Sequence, residues 1–129
     1  MVVLAIIGVL AAIAVPQFNN FATKAAEAST KGNLSTLRSA LAIYYSDNSN
    51  PIYPNDDLTS LMLNMKYLPA IPFIKTTPFH DPTQSVTMEP TPSDSGRWSY
   101  DNGPLDDRWG IIAPGCLHKD SRAQIWSSY

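Results

Sequence analysis

The chain opens on an unbroken apolar run. Residues 1–15, Met-Val-Val-Leu-Ala-Ile-Ile-Gly-Val-Leu-Ala-Ala-Ile-Ala-Val, hold no charged or polar side chain, and nine of the fifteen are Val, Leu or Ile. The first charge in the sequence is Lys24. Behind Pro16 the pattern becomes a helical stripe. Phe18, Phe21, Ala25, Ala28 and Gly32 recur at three- and four-residue steps, Leu37, Leu41 and Tyr44 prolong the stripe, and Leu34 and Ala40 lie beside it. Polar residues, among them Thr23, Lys24, Glu27, Lys31 and Arg38, fill the other face. The turn formers Ser46-Asp47-Asn48-Ser49-Asn50-Pro51 stop the pattern. The spacing predicts one helix of about 46 residues, near 70 Å long. A helix of that length without internal caps is a membrane span, a coiled coil or an assembly element.

The second half reads differently. Of the eleven prolines only Pro16 precedes residue 50. Asn55-Asp56-Asp57 offers N-cap chemistry ahead of Leu58, Leu61, Met62, Met65 and Leu68, a short helix ended by Pro69. Residues 69–82 carry four prolines and predict a loop. Ser85–Met88, Arg97–Tyr100, Trp109–Ile112 and Ala123–Trp126 are strand candidates, with Pro90–Gly96 and Asp101–Pro104 as turns. The expected fold is α+β: a long N-terminal helix packed by its C-terminal half against a small antiparallel sheet of three or four strands. Two parts follow, a hydrophobic helix over 1–23 and a globular head over 24–129.

The leading run favours a membrane by about 3–5 kcal/mol on an insertion scale. As a helix, fifteen residues span about 22 Å, short of the roughly 30 Å hydrocarbon core. Two other origins compete. A secretory signal would use Ala12-Ile13-Ala14 as its small-x-small site, but the positive leading region is missing. A buried core helix would need covering on all sides, and 129 residues leave little to cover it.

Composition narrows the chemistry. Nine basic against eleven acidic residues leave no positive surplus for phosphate, so no nucleic-acid partner is expected. A lone cysteine, Cys116, excludes an internal disulfide, iron–sulfur ligation and zinc sites of the Cys₂His₂ or Cys₄ kind. Cys116-Leu117-His118 is not the C-x-x-C-H of haem attachment, and a nucleophilic cysteine needs an orienting third group that the sequence does not identify. No G-x-S-x-G occurs. Asp101, Asn102, Asp106 and Asp107 surround Gly103. Such hard oxygen ligands hold Ca²⁺ if the loop closes around it, although the spacing is not that of an EF-hand and solvated turn acids are the plainer reading.

Met1 to Phe18, MVVLAIIGVLAAIAVPQF, resembles the N-terminal helix of type IV pilins and type II secretion pseudopilins, including Gly8, Ala11-Ala12 and Pro16 followed by Gln17-Phe18. Tyr53-Pro54, the Leu58-x-x-Leu61 helix, the Tyr67-Leu68-Pro69 exit and the run from Gly96 to Asn102 are more loosely similar to that family. In the family the mature chain begins a few residues earlier, with the prepilin-peptidase site and an acidic residue. Neither is present, so Met1 reads as an internal start. The resemblance implies a filament subunit and not an enzyme. It sits in the inner membrane before assembly, then in an extracellular or periplasmic filament. Its expected partners are copies of itself, prepilin peptidase, and the inner-membrane assembly machinery with its ATPase system. The filament core would take Val2, Leu4, Ile7, Gly8, Leu10, Ala11, Ala12, Ala14, Pro16, Phe18 and Phe21, the small residues letting helices approach closely. Gly8 and Pro16 mark a stretch that the resemblance implies will kink or locally melt on assembly. Major pseudopilins carry calcium in a comparable C-terminal loop; no other cofactor is expected. Absence of the C-terminal disulfide of many adhesive pilins points to the pseudopilin side. Two alternatives stay open: a membrane-anchored extracytoplasmic binding protein that does not polymerise, and a secreted enzyme starting near Val15.

Overall fold

The computed structural model describes residues 1–129. Helix α1 runs from Val2 to Asp47 without a break and carries Pro16 inside it. A single turn of helix, α2 (Thr59–Met62), leads into a 3₁₀ turn over Leu63–Met65. Three short strands follow, β1 (Val86–Met88), β2 (Trp98–Tyr100) and β3 (Ile112–Pro114), and a second 3₁₀ turn, Trp126–Ser128, closes the chain. The long helix packed on a small sheet is the α+β arrangement expected.

The details of the sheet differ from expectation. Its order is β1-β2-β3, with β1 parallel to β2 and β2 antiparallel to β3. Strands of three residues make few ladder bonds, so the connecting loops decide their direction. The Pro90–Gly96 turn returns the chain alongside β1, and the bonds Trp98 N–H to Ser85 O and Glu89 N–H to Tyr100 O, each 3.0 Å, fix the register. Residues 123–126 do not form a strand. The Asp120 carboxylate accepts the amides of Arg122 (2.8 Å) and Gln124 (3.0 Å), curling the segment, and only Ile125 bridges to Lys119. The helix expected over 58–68 lasts one turn, because Asn64 and Met65 adopt positive φ.

The core lies between the middle of α1 and the sheet. Leu34, Leu37 and Leu41 meet Leu58, Leu61, Ile74, Trp98, Tyr100 and Ile112, all nearly free of solvent. Trp98 and Tyr100, two apart on β2, both have their polar atoms satisfied: the indole donates to Pro72 O (2.8 Å) and the phenol to Pro54 O (2.6 Å).

Below Leu34 the head docks on a face other than the apolar stripe. Ala25, Ala28 and Gly32 are exposed, and Glu27 and Thr30 are buried in their place. Taken at 100° per residue, the Phe18–Phe21–Ala25–Ala28–Gly32 line lies about half a turn from the line of Thr30, Leu34, Leu37 and Leu41. The reason is chemical. This part of α1 meets loop backbone, which asks for polar partners. Thr30 Oγ1 accepts Lys75 N–H (2.9 Å) and lies 3.0 Å from Lys75 O. Glu27 accepts the Ser121 amide (2.8 Å) and hydroxyl (2.5 Å).

The end of the chain is latched to the same helix. Lys31 Nζ lies 2.6 Å from both Asp120 Oδ2 and the Tyr129 hydroxyl, and that hydroxyl donates to Asp120 at 2.5 Å. Arg38 donates to Ile112 O (3.0 Å) and Tyr129 O (2.6 Å). Burial alone would raise the Asp120 carboxyl. The bonds from Lys31, Tyr129 and the two loop amides outweigh it and hold the group well below the usual carboxylate range. Lys31 loses some hydration, but Asp120 and Tyr129 raise its pKa on balance.

Candidate functional site

The dominant surface feature is the free end of α1. Every residue from Met1 to Ala22 is exposed, and Glu27 is the first buried one. Val2–Thr23 holds no charge, and its 22 residues rise about 33 Å as a helix. The fifteen-residue run falls short of a bilayer, but as the helix is built it is long and apolar enough to cross one. Apolar side chains lie on all sides of it. Val2, Leu4, Ile7, Leu10, Phe18 and Phe21 are each more than half exposed, and so are Ile6, Val9, Ile13 and Val15. A helix that is hydrophobic all round needs an apolar environment all round.

The residues named for filament packing are therefore not brought together within one chain. They line one rod, where only helical neighbours three or four apart lie side by side, and any further contact among them requires other molecules. Gly8 has nothing within 4 Å of where a Cβ would stand, and Ala11, Ala12 and Ala14 are likewise exposed. Pro16 supplies no N–H, so the Ala12 carbonyl lacks its helical donor although the helix continues past it.

The acidic loop is placed as follows. Asp101 is buried; its Oδ1 accepts Gly103 N–H (3.1 Å), and its Oδ2 has no partner. Asn102 donates its amide to Asn55 O (3.0 Å), and Asp106 accepts Arg108 N–H (3.0 Å). Asp107 is exposed. The orphaned Asp101 oxygen is an atom a cation would satisfy. The other side chains are turned to local backbone, and no three carboxylates converge there. Ca²⁺ takes six to eight oxygens, so the loop in this conformation does not fit a calcium shell.

A different cluster does converge. His80, Asp94, Cys116 and His118 place one ligand-type atom each, all within 4.8 Å of one another. Asp94 Oδ1 lies 3.1 Å from His80 Nε2 and 3.2 Å from His118 Nδ1, and Cys116 Sγ lies 3.6 Å from that same Nδ1. The Phe79 ring stacks on His118 at 4.1 Å and 7°. Gly96, at φ +71°, lets the Pro90–Gly96 turn approach His80, since a Cβ there would stand 2.5 Å from His80 Cβ. This is not a Cys–His–Asp catalytic relay. A relay needs the nucleophile on one ring nitrogen and the carboxylate on the other, whereas here both face Nδ1. Cys116 is also fully buried, and burial pushes its thiol up. Of this cluster the sequence exposed only the Cys116-Leu117-His118 triplet; Asp94 and His80 join through loop folding that no local spacing records.

Comparison with known protein families, curated proteins and solved structures gives no match to this chain.

Proposed function

We propose that this protein is a structural subunit of a type IV pilus-like or type II secretion pseudopilus-like filament, polymerising through the N-terminal half of α1. The observation that carries the reading is the charge-free helical rod, exposed on every side, beside a head whose own core is complete without it. Lipid covers such a rod before assembly, and neighbouring copies cover it afterwards. Transfer between the two costs little, since both are apolar, and the small residues at Gly8, Ala11, Ala12 and Ala14 favour close helix approach. The sequence likeness of Met1–Phe18 to pilin helices supports the same reading, as does the ladle shape. By that likeness the subunit resides in the inner membrane and is processed and assembled by prepilin peptidase and an ATPase-driven machinery. The reading assigns no catalysis to the head.

Electron microscopy of sheared cell-surface and periplasmic material, with mass spectrometry of the subunit, tests it. The expected result is helical filaments containing this chain, with residues 1–23 at the axis. Recovery only as a monomer in detergent, with no filament under assembly conditions, overturns the proposal in favour of a non-polymerising membrane-anchored binding protein.

A further inference from the structure

We propose that His80 Nε2, Asp94 Oδ1, Cys116 Sγ and His118 Nδ1 together bind one Zn²⁺ ion, which staples three loops of the head. Pairwise hydrogen bonding does not account for the cluster. Asp94 Oδ1 already accepts Leu117 N–H at 2.9 Å, yet two ring nitrogens approach the same oxygen. His118 Nδ1 has one proton or one lone pair to offer but faces both a carboxylate and a sulfur. Atoms crowded about one point in this way form a ligand shell.

The distances suit zinc. Tetrahedral Zn²⁺ with bonds of about 2.0–2.3 Å sets neighbouring N and O ligands about 3.3 Å apart, and S and N about 3.6 Å apart. The observed separations are 3.1 and 3.2 Å for the nitrogen–oxygen pairs and 3.6 Å for the sulfur–nitrogen pair. The widest gap is below 4.8 Å, and side-chain rotation of about 1 Å closes it. Thiolate and imidazole ligands favour zinc over Ca²⁺ or Mg²⁺, which take oxygen.

Charge balances as well. One thiolate and one carboxylate neutralise a divalent ion, and both histidines bind neutral, their protons on His80 Nδ1 and His118 Nε2. Binding releases the Cys116 thiol proton to solvent. The Thr76 hydroxyl, buried and otherwise unpartnered, stands beside Cys116 as a donor to the thiolate. Four protein ligands leave no open position, which makes the site structural. It would tie the proline-rich loop at His80 and the Pro90–Gly96 turn to the segment leaving β3, in a head with no disulfide.

The test uses the full chain in detergent micelles, stripped with chelator under reductant, then titrated with Co²⁺ or Zn²⁺ against a weak competing chelator. The expected result is one ion per chain. Bound Co²⁺ should show tetrahedral visible bands and a thiolate-to-cobalt charge-transfer band. Cys116 is the single cysteine, so that band assigns the ligand without any variant. Zn²⁺ at a thousandfold excess over its Kd should raise the head's unfolding midpoint by roughly 15–20 °C. His80→Gln, checked for folding by circular dichroism, should bind at least about 100-fold more weakly. A folded chain that retains no metal against the chelator, or binds Co²⁺ without the charge-transfer band, overturns the proposal. Unchanged affinity in folded His80→Gln does so too.

Discussion

At Gly110 the backbone sits at φ +87°, and an added Cβ would stand 2.5 Å from the Tyr53 ring. That ring is held edge-on by Trp109, centroids 5.9 Å apart, so it has little room to yield. Gly110→Ala should therefore lower head stability by about 2–4 kcal/mol, combining left-handed strain with overpacking, as read by chemical denaturation. Lys31 is a second sensitive position. Its partner Asp120 has a fully covered side chain, while a quarter of the Lys31 side chain stays solvated. Lys31→Met keeps the apolar stem but removes the carboxylate's counter-charge, and should cost about 2 kcal/mol, less than the roughly 3–5 kcal/mol of a fully buried pair because Lys31 is partly solvated and Tyr129 and two amides still bond Asp120. The same pair sets a pH window. Asp120 is depressed, so its contribution is present above about pH 4 and fades as pH falls toward its folded value. Lys31 is raised, so its contribution is present below about pH 10.5 and is lost as pH climbs through its folded value. The contribution of this pair, read as the difference in thermal midpoint between the parent chain and Lys31→Met, should be level between about pH 5 and 9 and shrink on both sides.

Within α1, the upper docking face was legible in the sequence because Leu34, Leu37 and Leu41 bury hydrocarbon against the sheet. Lower down, an apolar periodicity argument selects Ala25, Ala28 and Gly32 and misses Glu27 and Thr30. Those two are buried because they meet loop amides and a loop hydroxyl, a demand the helix's own pattern cannot announce. Thr30→Val should cost about 1–2 kcal/mol, since the part-buried Lys75 amide loses its acceptor. Ala28→Leu should leave head stability within about 0.5 kcal/mol, because that side of the helix is open. Equal losses in the two variants, measured by denaturation, would contradict this assignment of faces. The sheet shows the same division. Alternation located β2, and the Ser85–Met88 candidate covers β1, but the Trp109–Ile112 candidate meets β3 only at Ile112, since the chain still turns over residues 109–110. Three-residue strands also leave their direction to the loops, and β1 came out parallel to β2.

For the molecule as a whole, the long helix and the α+β architecture were readable from the apolar run, the stripe behind Pro16 and the proline-rich second half. The metal-type cluster was not, because its members come from three loops whose convergence depends on tertiary packing. The proposed assembly through the leading segment makes a prediction that separates anchoring from polymerisation. Ala11→Leu combined with Ala12→Leu keeps the segment apolar, so membrane insertion should be unchanged in a carbonate-extraction assay. Close helix approach is blocked, and filament yield should fall at least about tenfold, equivalent to 1.4 kcal/mol per subunit.

The way the head grips α1 has a mechanical consequence. Glu27, Thr30, Lys31 and Arg38 hold Ser121, Lys75, Asp120, Ile112 and Tyr129 along about 17 Å of one rod. Tension along that rod meets these fastenings side by side and in shear, so they share the load. Peeling the head away would begin at Glu27, but a straight pull has no weakest link to unzip first.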